Sequence, residues 1–117
     1  MYINQEIGKF GENVAARYLE KKGYKILERN FSCKQGEIDI IAQSFSELVF
    51  VEVKTRTSEE YGSPAEAVNE TKKKHMERAV EYYLYKTNQQ NKFVRLDVIE
   101  ITIKNGYYTV NHIEQIK

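Results

Sequence analysis

Cysteine is almost missing from this chain: Cys33 is the only one among 117 residues. A lone thiol excludes an internal disulfide and a cysteine-based zinc cluster, and it fits a reducing cytoplasm. Proline is as scarce. Pro64 stands alone between two segments of different periodicity, and no stretch rich in proline, glycine or serine reads as a linker. Long apolar runs are lacking too. Leu48-Val49-Phe50-Val51 is typical of the longest, well below the roughly 20 residues that a membrane-spanning helix needs. Met1 to Glu12 has no apolar signal core, so the expected location is cytoplasmic, with no membrane partner. Finally, neither sign of charge dominates. The 18 Lys and Arg against 17 Asp and Glu leave a net charge of +1. Any nucleic-acid surface must therefore come from local clustering.

What is present is an ordinary globular composition, 41% hydrophobic and 30% charged, of a length that suits one domain over residues 1–117. The stretch from Gln5 to Lys22 has helical periodicity. Gly8, Gly11, Val14, Ala15, Tyr18 and Leu19 share one face, and Lys9, Asn13, Arg17 and Glu20 lie opposite. Glu12 breaks the pattern by falling inside the apolar arc. Gly23 supplies the stop. Three strand-like segments follow, near Tyr24–Asn30, Glu37–Gln43 and Glu47–Arg56, with turns at Lys34-Gln35-Gly36 and Ser44-Phe45-Ser46. Ser63-Pro64-Ala65-Glu66 reads as a capped helix start, running to about Tyr85 with a stripe of Ala65, Val68, Met76, Ala79 and Tyr83. Phe93–Ile103 and Tyr107–Ile113 are strands joined by Asn105-Gly106, a type I′ hairpin signal. The predicted order is α-β-β-β-α-β-β, and the helix between strands is compatible with a parallel crossover.

Charges stand within two of these strands where a core strand should be apolar. Gly36-Glu37-Ile38-Asp39 places Glu37 and Asp39 on one face, opposite Ile38 and Ile40. Val51-Glu52-Val53-Lys54 places Phe50, Glu52, Lys54 and Arg56 on one face and Val49, Val51 and Val53 on the other. Glu52 and Lys54 then lie roughly 7 Å apart at Cα. If the two strands pair through the turn near Phe45, Asp39 comes close to Glu52. Carboxylates that close repel unless a cation separates them, and Mg2+ suits two carboxylates, waters and a substrate phosphate. A structural ion-pair cluster on a strand face is the plainer reading of the same residues.

The arrangement resembles the PD-(D/E)XK nuclease superfamily, whose sites sit on an αβββαβ core. Gly11-Glu12, Ala15-Ala16, Tyr18-Leu19, Gly23-Tyr24, Arg29-Asn30, Gly36-Glu37-Ile38-Asp39, Phe50 to Arg56, Lys72 and Arg95-Leu96-Asp97-Val98 together are similar to the YraN-like family of small bacterial proteins. That family itself resembles archaeal Holliday-junction resolvases. The match covers about residues 8 to 100, and Ile38 replaces the proline of the superfamily's name. The resemblance implies an α/β fold of the restriction-endonuclease-like class, with a mixed central sheet flanked by helices and a C-terminal β-hairpin. It implies a metal-dependent endonuclease acting on DNA, with branched DNA as a candidate substrate and Mg2+ or Mn2+ as cofactor. Asp39 and Glu52 would ligate the metal, with the Val53 carbonyl as a third ligand and Glu12 in support. Lys54 would orient the attacking water, and Lys72 would contact the scissile phosphate.

Other roles stay open at this point. Arg56 and Lys73 are candidate phosphate contacts, against a surface ion pair and a solvated helix start. Lys72 could equally lay its stem over the core. Glu37 is a ligand or a turn residue. Arg95 and Asp97 are expected to pair near the site, and His75 and His112 are read as structural. Binding without turnover and RNA processing are the competing functions, and a homodimer would offer a longer basic track.

Overall fold

The computed structural model describes residues 4–57 and 69–116. Helix α1 (Asn4–Lys21) leads into strands β1 (Lys25–Cys33), β2 (Gly36–Ser44) and β3 (Glu47–Thr57). Helix α2 (Glu70–Lys86), β4 (Phe93–Lys104) and β5 (Tyr107–Ile113) follow. The sheet runs β1-β2-β3-β4-β5 in chain order. Among the described strands only β3 and β4 are parallel, over eleven registered pairs from Glu47–Phe93 to Thr57–Ile103. The other neighbours are antiparallel. A parallel neighbour requires a crossover, and α2 provides it. The expected αβββαβ order, with its C-terminal hairpin, is the one observed.

The helices cover different faces. On the α1 side, Val14, Ala15 and Leu19 pack with Ile40, Ala42, Val49, Val51, Ile99 and Ile101. On the α2 side, Met76, Ala79, Val80 and Tyr83 pack with Phe31, Ile38, Ile41, Leu48, Phe50 and Val98. Val49 and Val51 thus face away from Leu48 and Phe50, as strand alternation requires. Tyr83 is buried edge-on against Phe31 and Phe50. It is core, whereas Tyr82 and Tyr85 are exposed.

Local signals explain the element ends. The Tyr24 N–H bonds the Leu19 carbonyl and the Gly23 N–H bonds the Glu20 carbonyl, each at 3.0 Å, with Gly23 at φ +93°. This pair of bonds closes a helix on a left-handed glycine. At the β4–β5 turn, Asn105 and Gly106 take φ values of +51° and +78°, the conformation that aligns a two-residue hairpin with strand twist. The described start of α2 differs from expectation. Asn69 is its cap, and its side-chain oxygen accepts the Lys72 N–H at 2.9 Å. The expected cap at Ser63 and the stripe residues Ala65 and Val68 lie outside the described residues. No described helix is long and apolar enough to cross a membrane.

Candidate functional site

The site forms where β2 and β3 part. Their ladder runs from Ser44–Glu47 to Ile40–Val51, and continuing the register by one step would pair Asp39 with Glu52. Instead, the Asp39 carboxylate accepts the Val53 N–H at 2.8 Å. A side chain takes the place of a ladder carbonyl, so the strands spread without leaving that donor unsatisfied.

The alternation of β2 also slips at Asp39. Ile38 packs on the α2 side and Ile40 on the α1 side, so they do not share the face expected for them. The reason lies in β1. Asn30, between the pairs Arg29–Ile40 and Phe31–Ile38, adopts φ +55°. This left-handed residue turns both strands over locally.

A cleft opens at the parted ends, lined among others by Glu12, Glu37, Asp39, Glu52, Val53 and Lys54, together with Lys72 and His75. Asp39 and Glu52 are close enough there to shift each other's pKa. Burial raises the pKa of Asp39, although the Val53 N–H and Lys72 oppose the rise. Burial and the Asp39 charge push Glu52 up to about 7 against the pull of Lys72. The Lys72 ammonium lies 2.5 Å from Glu52 Oε1. Burial would lower its pKa, but the bond to Glu52 wins and raises it. Two crowded carboxylates thus share one lysine.

Glu12 reaches the cleft from α1. Burial and Asp39 raise its pKa, while Arg29 and a hydrogen bond with Asn30 act the other way. Among the described residues, no three His, Cys, Asp or Glu side chains gather at metal-ligand spacing. Glu12 therefore stands beside the Asp39–Glu52 pair rather than within a three-acid cluster. Glu37 is exposed on the cleft wall, and its charge pushes Asp39 further up. Lys54 is half-buried in the wall.

The remaining candidates divide. Lys72 joins the acids, bonding a carboxylate. Lys73 lies 3.7 Å from Glu70 on its own helix. Arg56 departs from both readings of it as an exposed residue. It is buried, with its Nε 2.6 Å from the buried Glu100. Arg95 and Asp97 do pair, at 2.9 Å, but their other partners are Tyr24, His112, Glu47, Glu114 and the Gln115 N–H. None of these lines the cleft. His112 is structural as read, whereas His75 lines the cleft, which the sequence reading missed. Its signal was available: His75 lies three residues after Lys72, hence on the same helix face.

The fold is a mixed α/β sheet on an αβββαβ core, with a pair of acids at a split in the sheet. Comparison with known proteins gives the family. Residues 11–101 match the model described as "Uncharacterised protein family UPF0102". The chain is 45% identical to a UPF0102 protein of Caldicellulosiruptor saccharolyticus over 94% of its length and 95% of the relative's. It is 47% identical to one of Clostridium botulinum over 97% and 94%. It is 45% identical to one of Syntrophomonas wolfei over 95% and 96%. The chain belongs to the UPF0102 family, the YraN-like family that its motifs resemble.

Proposed function

We propose that this protein is a metal-dependent endonuclease hydrolysing DNA phosphodiester bonds, with branched DNA as the favoured substrate class. The observation that carries this reading is the Asp39–Glu52 pair. A half-buried and a buried carboxylate face each other in an open cleft, both with raised pKa values. Such a pair is costly to a fold that gains nothing from it.

The donor set fits a hard divalent cation. Asp39, Glu52 and the Val53 carbonyl are all oxygen donors, and Mg2+ commonly takes one or two carboxylates and completes its shell with water and phosphate oxygens. Bound there, Mg2+ or Mn2+ would offset the phosphate charge and lower the pKa of a coordinated water. The chain's own residues supply the rest. Lys54 would hold the attacking water in line with the scissile bond. Lys72, now on Glu52, would be free to turn to a phosphate oxygen once another cation neutralises that carboxylate. Glu12, beside Asp39, would add negative charge facing the cation.

One observation favours a second reading. Lys72 already neutralises Glu52 directly, so the pair has a resident counter-charge, as a binding module without turnover would need. Cleavage assays separate the two. Four-way junction, flap, single-stranded and linear duplex DNA are incubated with Mg2+ or Mn2+, with Asp39→Asn, Lys54→Ala and EDTA controls and an RNA competitor. Cutting that disappears in every control is the expected result. Cutting that persists in both purified variants removes the site assignment, and binding without cutting leaves the second reading.

A further inference from the structure

A second groove adjoins the cleft. Its walls include Lys9, Asn13, Arg29 and Asn30, and it shares Gly8 and Glu12 with the cleft. Nothing in the proposed chemistry uses it. Arg29 and Lys9 are exposed cations there, and Asn13 Oδ1 accepts from Arg29 Nη2 at 2.8 Å, which orients the guanidinium. Arg29 and Asn30 also act on Glu12, so the acid at the junction is partly balanced.

Gly8 stands at that junction, and no packing among the described residues explains it. Glycine within a helix is less favourable than alanine. The other glycine of α1 facing the sheet has a reason: a Cβ on Gly11 would fall 1.7 Å from Thr55 Oγ1. A Cβ on Gly8 would meet nothing within 4 Å among the described residues. The described residues leave room for a side chain there, yet the helix carries none at the point where cleft and groove meet.

Resting on the nuclease reading, we propose that a DNA strand held in the cleft crosses α1 over Gly8, and that Lys9 and Arg29 bind its next backbone phosphates in the adjoining groove. A bare helix surface allows the close approach of a sugar-phosphate chain. An asparagine-held guanidinium then meets phosphate oxygens in fixed geometry.

The test reads binding rather than activity. Fluorescence anisotropy of a fluorescein-labelled four-way DNA junction, with a labelled linear duplex beside it, is followed across a salt series in an Asp39→Asn background. Lys9→Gln and Arg29→Gln should each weaken binding and lower the slope of log affinity against log salt by about one. Gly8→Gln should raise the melting temperature, through helix propensity, while weakening binding at least several-fold. If Asp39→Asn binds DNA and all three added substitutions leave affinity and salt slope unchanged, the groove has no such role and the cleft reading stands. If neither the wild type nor Asp39→Asn binds either DNA, the nuclease reading fails and the strand path fails with it.

Discussion

Asp97 on β4 has no exposed surface, and its carboxylate is met by Arg95, His112 and the Gln115 N–H. Burial alone would raise its pKa, but these bonds outweigh burial and hold it below the ordinary 3.8. Its stabilising contribution is therefore complete above 3.8 and is lost as the pH falls through the lower folded value. Replacing Asp97 by Asn should cost about 3–5 kcal/mol at neutral pH, the range for breaking a buried ion pair. Urea unfolding checks this: the gap to wild type narrows well below pH 3.8, and a gap independent of pH would contradict the assignment. Lys72 gives a second prediction at this scale. Lys72→Met leaves Glu52 beside Asp39 without its cation, so the melting temperature in EDTA should fall. Mg2+ should restore more stability to this variant than to the wild type. Equal gains in both would mean that lysine and metal do not serve the same carboxylate. Arg56 gives a third. With its partner Glu100 in the interior, Arg56→Gln should lower the denaturation midpoint and leave the salt dependence of DNA binding unchanged.

At the scale of elements, the contact of α1 with β3 depends on Gly11. Its missing Cβ leaves room for Thr55, and Gly11→Ala should destabilise by about 1–3 kcal/mol, as overpacking does. The double variant with Thr55→Gly should recover most of that loss in thermal melts. The start of α2 depends on Asn69, whose removal in Asn69→Ala should cost about 1 kcal/mol by the same measurement. The elements themselves were legible because their signals are local. The Asn105-Gly106 hairpin, the Gly23 stop and the apolar face of α1 each depend on residues a few positions apart. The break in β2 was not legible. Asp39 reads as an ordinary alternating strand residue until Asn30 of the neighbouring strand, at φ +55°, turns the pair over.

Taken as a whole molecule, one sheet carries two layers, and the site draws on both. Glu12 comes from α1 on one face and Lys72 from α2 on the other. Their meeting point is the gap past the Ile40–Val51 pair. This geometry predicts a thermal response to metal without any substrate. Millimolar Mg2+ should raise the melting temperature of the wild type, and Asp39→Asn should abolish the shift. An identical shift in both proteins would place the metal elsewhere.

Asp39, Glu52, Lys54 and Glu12 could be picked out along the chain because each breaks an apolar pattern whose period is set by backbone geometry. The parallel pairing of β3 with β4 was legible too, from a helix standing between strands. Where the remaining charges go was decided by folding alone. Arg56 and Asp97 break their strands in the same way, yet each closes an interior ion pair, while Lys72 comes to the acids, and His75 to the cleft, from the next helix. A charge inside an element is visible to a period. Its partner depends on register, on strand twist and on which layer covers that point of the sheet, and these are settled only when residues far apart in the chain are brought together.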